Sequence, residues 1–259
     1  MAEYTLTQDG AEELERARLV LLEAVFDPQT TRQFDAIGVG PGWRCLDVAA
    51  GGGSTTRMLA ERVGDTGSVL ALDLDVRLLE PLAGERVEVR QHDLLNDPLP
   101  DAAFDLVHAR NLLMHLPARL DAMKRLLEAV RPGGWLALCE PDMDTMALSP
   151  RSPAWHRVVT AFYDATVCGG WDHGYGSRMP ADLEVLDLAD FEVEVVVRHA
   201  RGGSIYAQLF AGTFVRFEQR MRELGVSGDD LAEVQRMLSD PNVSFRTPAT
   251  VSAWGRRRA

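Results

Sequence analysis

The run Cys45-Leu46-Asp47-Val48-Ala49-Ala50-Gly51-Gly52-Gly53-Ser54 carries the strongest chemical signal in the chain. Glycine lets backbone turn sharply and approach a ligand at the mouth of a helix. Alone such a run says little, but its flanks add weight. A strand-like segment precedes it, a helical pattern follows, and Asp73 closes the next strand-like run about 20 residues on. A carboxylate placed there can accept both hydroxyls of a ribose. The first inference is therefore a nucleoside-containing ligand. A dinucleotide site asks for G-x-G-x-x-G, whose third glycine allows close helix–strand packing. Counted from Gly51 that position is Thr56, and counted from Ala49 it is Ser54. Asp47 would also repel a pyrophosphate and favour an amino group or ordered water. Both points favour a ligand with a cationic amino-acid end over a nicotinamide dinucleotide.

Around these residues strand-like runs alternate with helices. Strands are expected at Trp43–Val48, Ser68–Leu72, Val87–Arg90, Phe104–Ala109 and Trp135–Glu140, with helices at Ser54–Val63 (N-capped by Ser54), Arg77–Ala83 and 118–130. This alternation means βαβ units and a parallel sheet with right-handed crossovers, and ligands at the carboxyl ends of the strands. Ahead of it, residues 8–36 read as helix interrupted at Asp27-Pro28, with a second short helix from Thr30 to Ile37. Residues 141–185 break the alternation and concentrate prolines, glycines, aromatics, His156 and His173, which reads as an inserted lid. A sixth strand over Phe191–His199, helices over Ser204–Leu224 and Gly228–Leu238, and a final edge strand over Val251–Arg256 complete the chain. The division is an N-terminal helical arm, residues 1–40, and one domain, 41–259, bearing the lid.

With 259 residues, 46% apolar and 25% charged, the composition is that of a globular protein. There are 27 basic and 39 acidic residues, a net charge of −12, which opposes binding to nucleic acid or an anionic membrane. No apolar run reaches the ~18 residues of a membrane span, and Met1-Ala2-Glu3-Tyr4 does not open a signal peptide. Cys45, Cys139 and Cys168 cannot all pair and lack metal-ligand spacing, so no metal site is expected and a reducing cytoplasm suits them. The basic residues are arginines except Lys124, a bias of GC-rich genomes.

Asp47-x-Ala49-x-Gly51-x-Gly53 resembles the D/E-x-G-x-G-x-G motif of class I S-adenosylmethionine-dependent methyltransferases, with Ala49 replacing the first glycine. Asp73 matches that family's ribose-binding acid. His92-Asp93-Leu94 looks like the site after the third strand whose acid accepts from the adenine amino group. Phe104-Asp105-Leu106-Val107 resembles the fourth-strand motif, and Pro132-Gly133-Gly134 the stop before strand five. The resemblance covers roughly residues 42–141, with five motifs in order. It implies an α/β fold, a doubly wound, mostly parallel seven-stranded sheet with helices on both faces. It also implies S-adenosylmethionine as cofactor and S-adenosylhomocysteine as product. Cofactor contacts are then expected from Asp47, Ala49, Gly51, Gly53, Asp73, Leu74, His92, Asp93, Leu94 and Arg110, and from Tyr4 and Arg18 on the front helix, which resembles that of small-molecule methyltransferases.

The acceptor chemistry is carried by fewer signals. His173, in Trp171-Asp172-His173-Gly174-Tyr175, and His115, in Leu113-Met114-His115-Leu116, are the candidate general bases. Glu140, Asp142 and Asp144 follow strand five and can orient a hydroxyl or amine. Asp142, Trp155, Tyr163, Trp171 and Tyr175 are the candidate acceptor contacts, the aromatics by stacking on a planar group. The expected reaction is O-methylation of a small molecule in bacterial specialised metabolism, with N- or C-methylation as alternatives. A non-methylating enzyme that uses the same cofactor, such as a cyclase, a nicotinamide-dependent oxidoreductase and a binding module without turnover are the other classes. The sequence leaves the acceptor unnamed and a homodimer open.

Overall fold

The computed structural model describes residues 11–167 and 170–259. In chain order these residues form α1 (Ala11–Ile37), β1 (Arg44–Val48), α2 (Ser54–Val63), β2 (Ser68–Asp73), β3 (Val87–Gln91), β4 (Phe104–Arg110), α3 (Arg119–Ala129) and β5 (Val130–Asp142). There follow α4 (Pro153–Val167), α5 (Tyr175–Glu184), β6 (Ala189–Val196), β7 (His199–Arg201), α6 (Ile205–Glu223), α7 (Gly228–Ser239), β8 (Ser244–Arg246) and β9 (Ala249–Arg256). Two compact units result. One contains Phe26–Glu140, Gly176–Val195 and Val251–Ala259; the other contains the described part of Met1–Val25, Pro141–Tyr175 and Val196–Thr250. No helix among the described residues is long and apolar enough to cross a membrane.

The first unit holds a seven-stranded sheet of order β3-β2-β1-β4-β5-β9-β6. The pairs β1–β2, β2–β3, β1–β4 and β4–β5 are all parallel. Gly133 and Gly134, at the start of β5, exchange backbone hydrogen bonds with Arg257, just past the end of β9, so β9 runs antiparallel to β5. Strand order reverses at β1, with β2 and β3 to one side and β4 and β5 to the other. The carboxyl ends of β1 and β4 therefore flank the crevice where open α/β sheets bind ligands. Apolar strand residues supply the core: Leu46, Ala71, Leu106 and Ala137 are buried along four successive strands.

Some expectations need correcting. The break at Asp27-Pro28 is absent, and α1 passes through Pro28. Tertiary bonds hold its second half: buried Gln33 donates to the carbonyls of Leu138 and Ala253, both at 3.2 Å. The lost amide bond at a proline is outweighed when neighbouring elements take up the surrounding polar groups. The helix expected at Arg77–Ala83 shrinks to a 3-10 turn, Glu80–Leu82, with Pro81 inside it. The final strand is not an edge: β9 lies between β5 and β6, and seven of its eight residues are buried, as a central strand requires. Gly53, not Ser54, caps α2, and the Ser54 hydroxyl donates to Asp27 at 2.8 Å.

The second unit is helical, with one short ribbon. Trp155, Phe162, Phe214 and Phe245 are fully buried in its core, joined by residues of α4, α6 and α7. Trp155 stands edge-on to Phe214 at 6.3 Å and donates its indole N–H to the Met146 carbonyl at 2.9 Å. Strands β7 and β8 pair antiparallel. The sequence reading did not resolve these two strands, since three residues are too few for an alternation to register.

Candidate functional site

The turn after β1 is built from positive-φ residues: Ala49 at 57°, Gly51 at 57° and Gly53 at 83°. A side chain on Gly53 would also run into Leu82 and Leu79, so this glycine is fixed by packing as well as by backbone. Ala49 holds the left-handed conformation with a Cβ, at a cost of about 1–2 kcal/mol. Ala49→Gly is expected to stabilise the protein by about 0.5–1 kcal/mol once glycine's extra chain entropy is deducted. A raised urea midpoint at unchanged m value checks this.

Asp73 ends β2 beside that turn. Its Oδ2 accepts from the Gly51 amide at 2.8 Å and its Oδ1 from the Asp75 amide at 3.1 Å. Burial raises its pKa from the usual aspartate value, against the pull of these amides. Each oxygen retains acceptor capacity. Next to it Leu74 exposes 57% of its surface, an apolar side chain at the ligand end of the sheet. After β3, His92 is buried with no hydrogen-bond partner on Nε2, and burial lowers its pKa. Asp93 is engaged in its own turn, accepting from the Leu95 amide at 2.9 Å and from Asn96 at 2.7 Å. Leu94 is buried.

Asp47 does not face the turn freely. Its Oδ2 accepts from Thr56 at 2.7 Å and its Oδ1 lies 3.0 Å from His108 Nδ1. His108 is fully buried and edge-on to Phe34 at 5.3 Å. Sequence reasoning missed His108, whose only signal was a histidine amid the apolar residues of β4. Register supplies the rest, since Asp47 and His108 are direct Cα partners of neighbouring strands. Thr56, which argued against a dinucleotide loop, thus has a positive role: its hydroxyl ties α2 to the β1 carboxylate.

Arg110, at the end of β4, donates to Asp27 at 2.9 Å, Thr30 at 3.0 Å and Ser54 at 3.0 Å. It joins α1, β4 and the start of α2 in one network. The following residue, Asn111, has φ 55° and a buried Oδ1 without a partner. Fully buried Glu140 holds the next turn: its carboxylate accepts from the amides of Leu112 at 2.9 Å, Leu113 at 2.7 Å and Met114 at 3.3 Å. His115 ends that same 3-10 turn. Burial pushes Glu140 up to about 7, from 4.5. A carboxyl group raised on folding gives stability that is present below pH ~4.5 and lost as pH rises to about 7, on the order of 3 kcal/mol. Urea unfolding at pH 5 and pH 8 should show this difference in the wild type and a much smaller one in Glu140→Gln.

In the helical unit, His173 Nδ1 lies 2.9 Å from Asp144 Oδ1. The Tyr163 ring stacks on His173, centroids 4.3 Å apart and planes at 14°. The Tyr163 hydroxyl donates to the Met143 carbonyl, and the Met143 amide donates to the His173 carbonyl at 2.8 Å. A side chain on Gly174 would press on Asp144 Oδ2 at 2.9 Å. Imidazole, carboxylate and phenol are thus locked together. Asp142 is buried and caps the turn that bears Asp144, accepting from the Asp144 amide at 2.9 Å. Trp171 stands edge-on to Phe217 at 5.7 Å, and Tyr175 is buried. Trp155, an expected acceptor contact, is core instead, because its ring is fully buried and its N–H is satisfied. Arg18, expected to reach a cofactor carboxylate, is ion-paired with Glu15, which also binds Arg216. Tyr4 lies outside the described residues.

In the sheet unit the donor set fits a nucleoside. A partly buried carboxylate with spare acceptor capacity, a glycine-rich turn and an exposed leucine suit ribose hydroxyls, backbone approach and a planar base respectively. Residues 46–138, which include the turn and Asp73, match the family model of a methyltransferase domain. The chain carries a class I S-adenosylmethionine-dependent methyltransferase domain. The matched residues run from within β1 to within β5. Methyltransferase str2 of Strobilurus tenacellus is 28% identical over 189 residues, 72% of this chain and 68% of str2. The ubiquinone/menaquinone biosynthesis C-methyltransferase UbiE of Ectopseudomonas mendocina is 36% identical over 111 residues, 40% of this chain and 43% of its own length. Among solved structures, YcgJ of Bacillus subtilis superposes with a TM-score of 0.60 at 17% identity, covering 88% of this chain and 98% of YcgJ. Haemonchus contortus phosphoethanolamine N-methyltransferase 2 gives 0.62 at 16% identity, covering 94% of this chain and 58% of the other. These two similarities establish the fold of the methyltransferase domain and not its acceptor.

Proposed function

We propose that the protein methylates a small-molecule acceptor on oxygen, with His173 as general base, in the cytoplasm and within bacterial specialised metabolism. The observation that carries the reading is the His173–Asp144 pair at 2.9 Å. With Nδ1–H donated to the carboxylate, Nε2 is left with its lone pair and takes the proton of an acceptor hydroxyl. Asp144 fixes that tautomer and Tyr163 holds the plane of the ring. Bound S-adenosylmethionine supplies a methyl group already activated by positive sulfur. Asp73 would hold the ribose hydroxyls, Leu74 would pack on the adenine, and Gly51 would let backbone approach. Asp47, His108 and Thr56 act beneath them by fixing the turn. Arg110 acts in the same way, through Ser54 and Asp27. A positioned nucleophile can supply about 7–11 kcal/mol of barrier reduction, so a single base suffices. The cysteine content supports a reducing compartment.

C-methylation is the second reading, supported by the relative named as a ubiquinone/menaquinone C-methyltransferase. The same base serves it, because deprotonating an enol or phenol exposes both oxygen and carbon to methylation. Incubating the protein with labelled S-adenosylmethionine and a panel of hydroxylated acceptors, then locating the methyl group by NMR, decides between them. A methyl group on oxygen supports the first reading and one on carbon the second. Absence of S-adenosylhomocysteine with every phenol and enol tested would count against both.

A further inference from the structure

The ribbon of β7 and β8 has two unlike faces. Its register pairs His199 with Arg246, Ala200 with Phe245, and Arg201 with Ser244. Directly opposed residues of an antiparallel pair share a face, and so do residues two apart along a strand. Ala200 and Phe245 form the inner face and are buried in the aromatic core of the helical unit. His199, Arg201, Ser244 and Arg246 therefore share the outer face: two guanidinium groups, an imidazole and a hydroxyl, on a scaffold only two strands wide. His199, Arg201 and Ser244 are exposed there, whereas Arg246 is partly covered.

Among the described residues, none of these four side chains meets a carboxylate. Arg201 makes one hydrogen bond, to the Pro241 carbonyl at 3.3 Å. Arg246 presents the sharper anomaly, because its Nε is buried and has no hydrogen-bond partner. Buried guanidinium donors are ordinarily satisfied, and an orphan calls for a missing acceptor. The acids nearest in sequence are committed elsewhere. Asp240 Oδ1 accepts from the backbone and side-chain amides of Asn242 at 2.9 and 3.0 Å. Glu194 is ion-paired with Arg32 at 3.1 Å. In the same unit Arg157 forms a two-point pair with Asp230, at 3.1 and 2.5 Å, which shows how an arginine is ordinarily matched here. A chain of net charge −12 has acids to spare, yet this face receives none from the described residues.

The position of Arg246 is fixed by its backbone. Its amide donates to the Ser149 carbonyl at 3.4 Å, and the Thr247 carbonyl accepts from the Thr145 hydroxyl at 2.9 Å. The strand is thus tied to the turn that carries Asp144. A fork of donors on a fixed strand is the arrangement that recognises planar or tetrahedral oxyanions.

The geometry points to a binding site for a carboxylate or phosphate group on the outer face of this ribbon, with Arg246 as its principal donor and His199, Arg201 and Ser244 beside it. The site is independent of the base assigned to His173. The test uses the full-length protein and inorganic phosphate or acetate, titrated at constant ionic strength while the arginine Nε–H resonances are followed by NMR. Saturable movement of the Arg246 signal is expected, with chloride giving none. Arg246→Ala should weaken binding about tenfold or more, the loss typical of a charged hydrogen-bond pair. Arg246→Lys should restore part of it, since the charge returns without the fork. Thermal melts of both variants near the wild-type value show that the ribbon still folds. Saturation by phosphate alone assigns the site to a phosphate ester, and saturation by acetate to a carboxylate. Unsaturable shifts, or equal affinity in the wild type and Arg246→Ala, would overturn the proposal.

Discussion

His173→Ala is expected to lower kcat by about 10²–10⁴-fold, the range over which a positioned general base contributes. The affinity for S-adenosylmethionine should stay near wild type, because His173 and Asp144 belong to the helical unit while Asp73 and the glycine turn belong to the sheet unit. Asp144→Asn provides the companion measurement. It retains the size of the side chain but loses the carboxylate 2.9 Å from Nδ1, so kcat should fall in the same direction by a smaller factor. Cofactor binding by calorimetry and turnover with a saturating acceptor separate the two effects. A fall of less than threefold in His173→Ala would remove this residue from the chemistry and return attention to His115.

Asp73→Ala should reduce S-adenosylmethionine affinity about tenfold to a hundredfold. The basis is a loss of ~1.5–3 kcal/mol for hydrogen bonds to a charged acceptor. The variant also loses the bond that Asp73 makes to the Gly51 amide at 2.8 Å, so the turn itself loosens. Asp73→Asn separates these contributions. Its amide oxygen can still accept from Gly51 while its amino group cannot accept from a ribose hydroxyl. If Asp73→Asn binds as the wild type does and its circular dichroism spectrum is unchanged, the ribose is held elsewhere.

Local chemistry made much of the sheet unit legible. Strands over residues 44–48, 68–73, 87–91 and 104–110 and the helix over 54–63 follow from apolar runs, glycine punctuation and helical spacing, which act within a few residues of one another. Gly51, Gly53 and Asp73 were legible for the same reason: a sharp turn between strand and helix limits the residue types that fit. The sequence could not show that the helix continues through Pro28, because the bonds from Gln33 to Leu138 and Ala253 cross more than a hundred residues. Nor could it place β9 inside the sheet, since strand order is a property of packing rather than of any one strand. Ala49 illustrates the division. Its identity is read directly, but its φ of 57° exists only because the folded turn imposes it. The side-chain partnerships were decided by tertiary structure alone. Asp47 meets His108 through strand register, and His173 meets Asp144 across 29 residues because a turn and a stacked tyrosine bring them together. Residue types and spacing limit which chemistry is available, whereas only the fold sets the few-ångström distances on which hydrogen bonding and proton transfer depend.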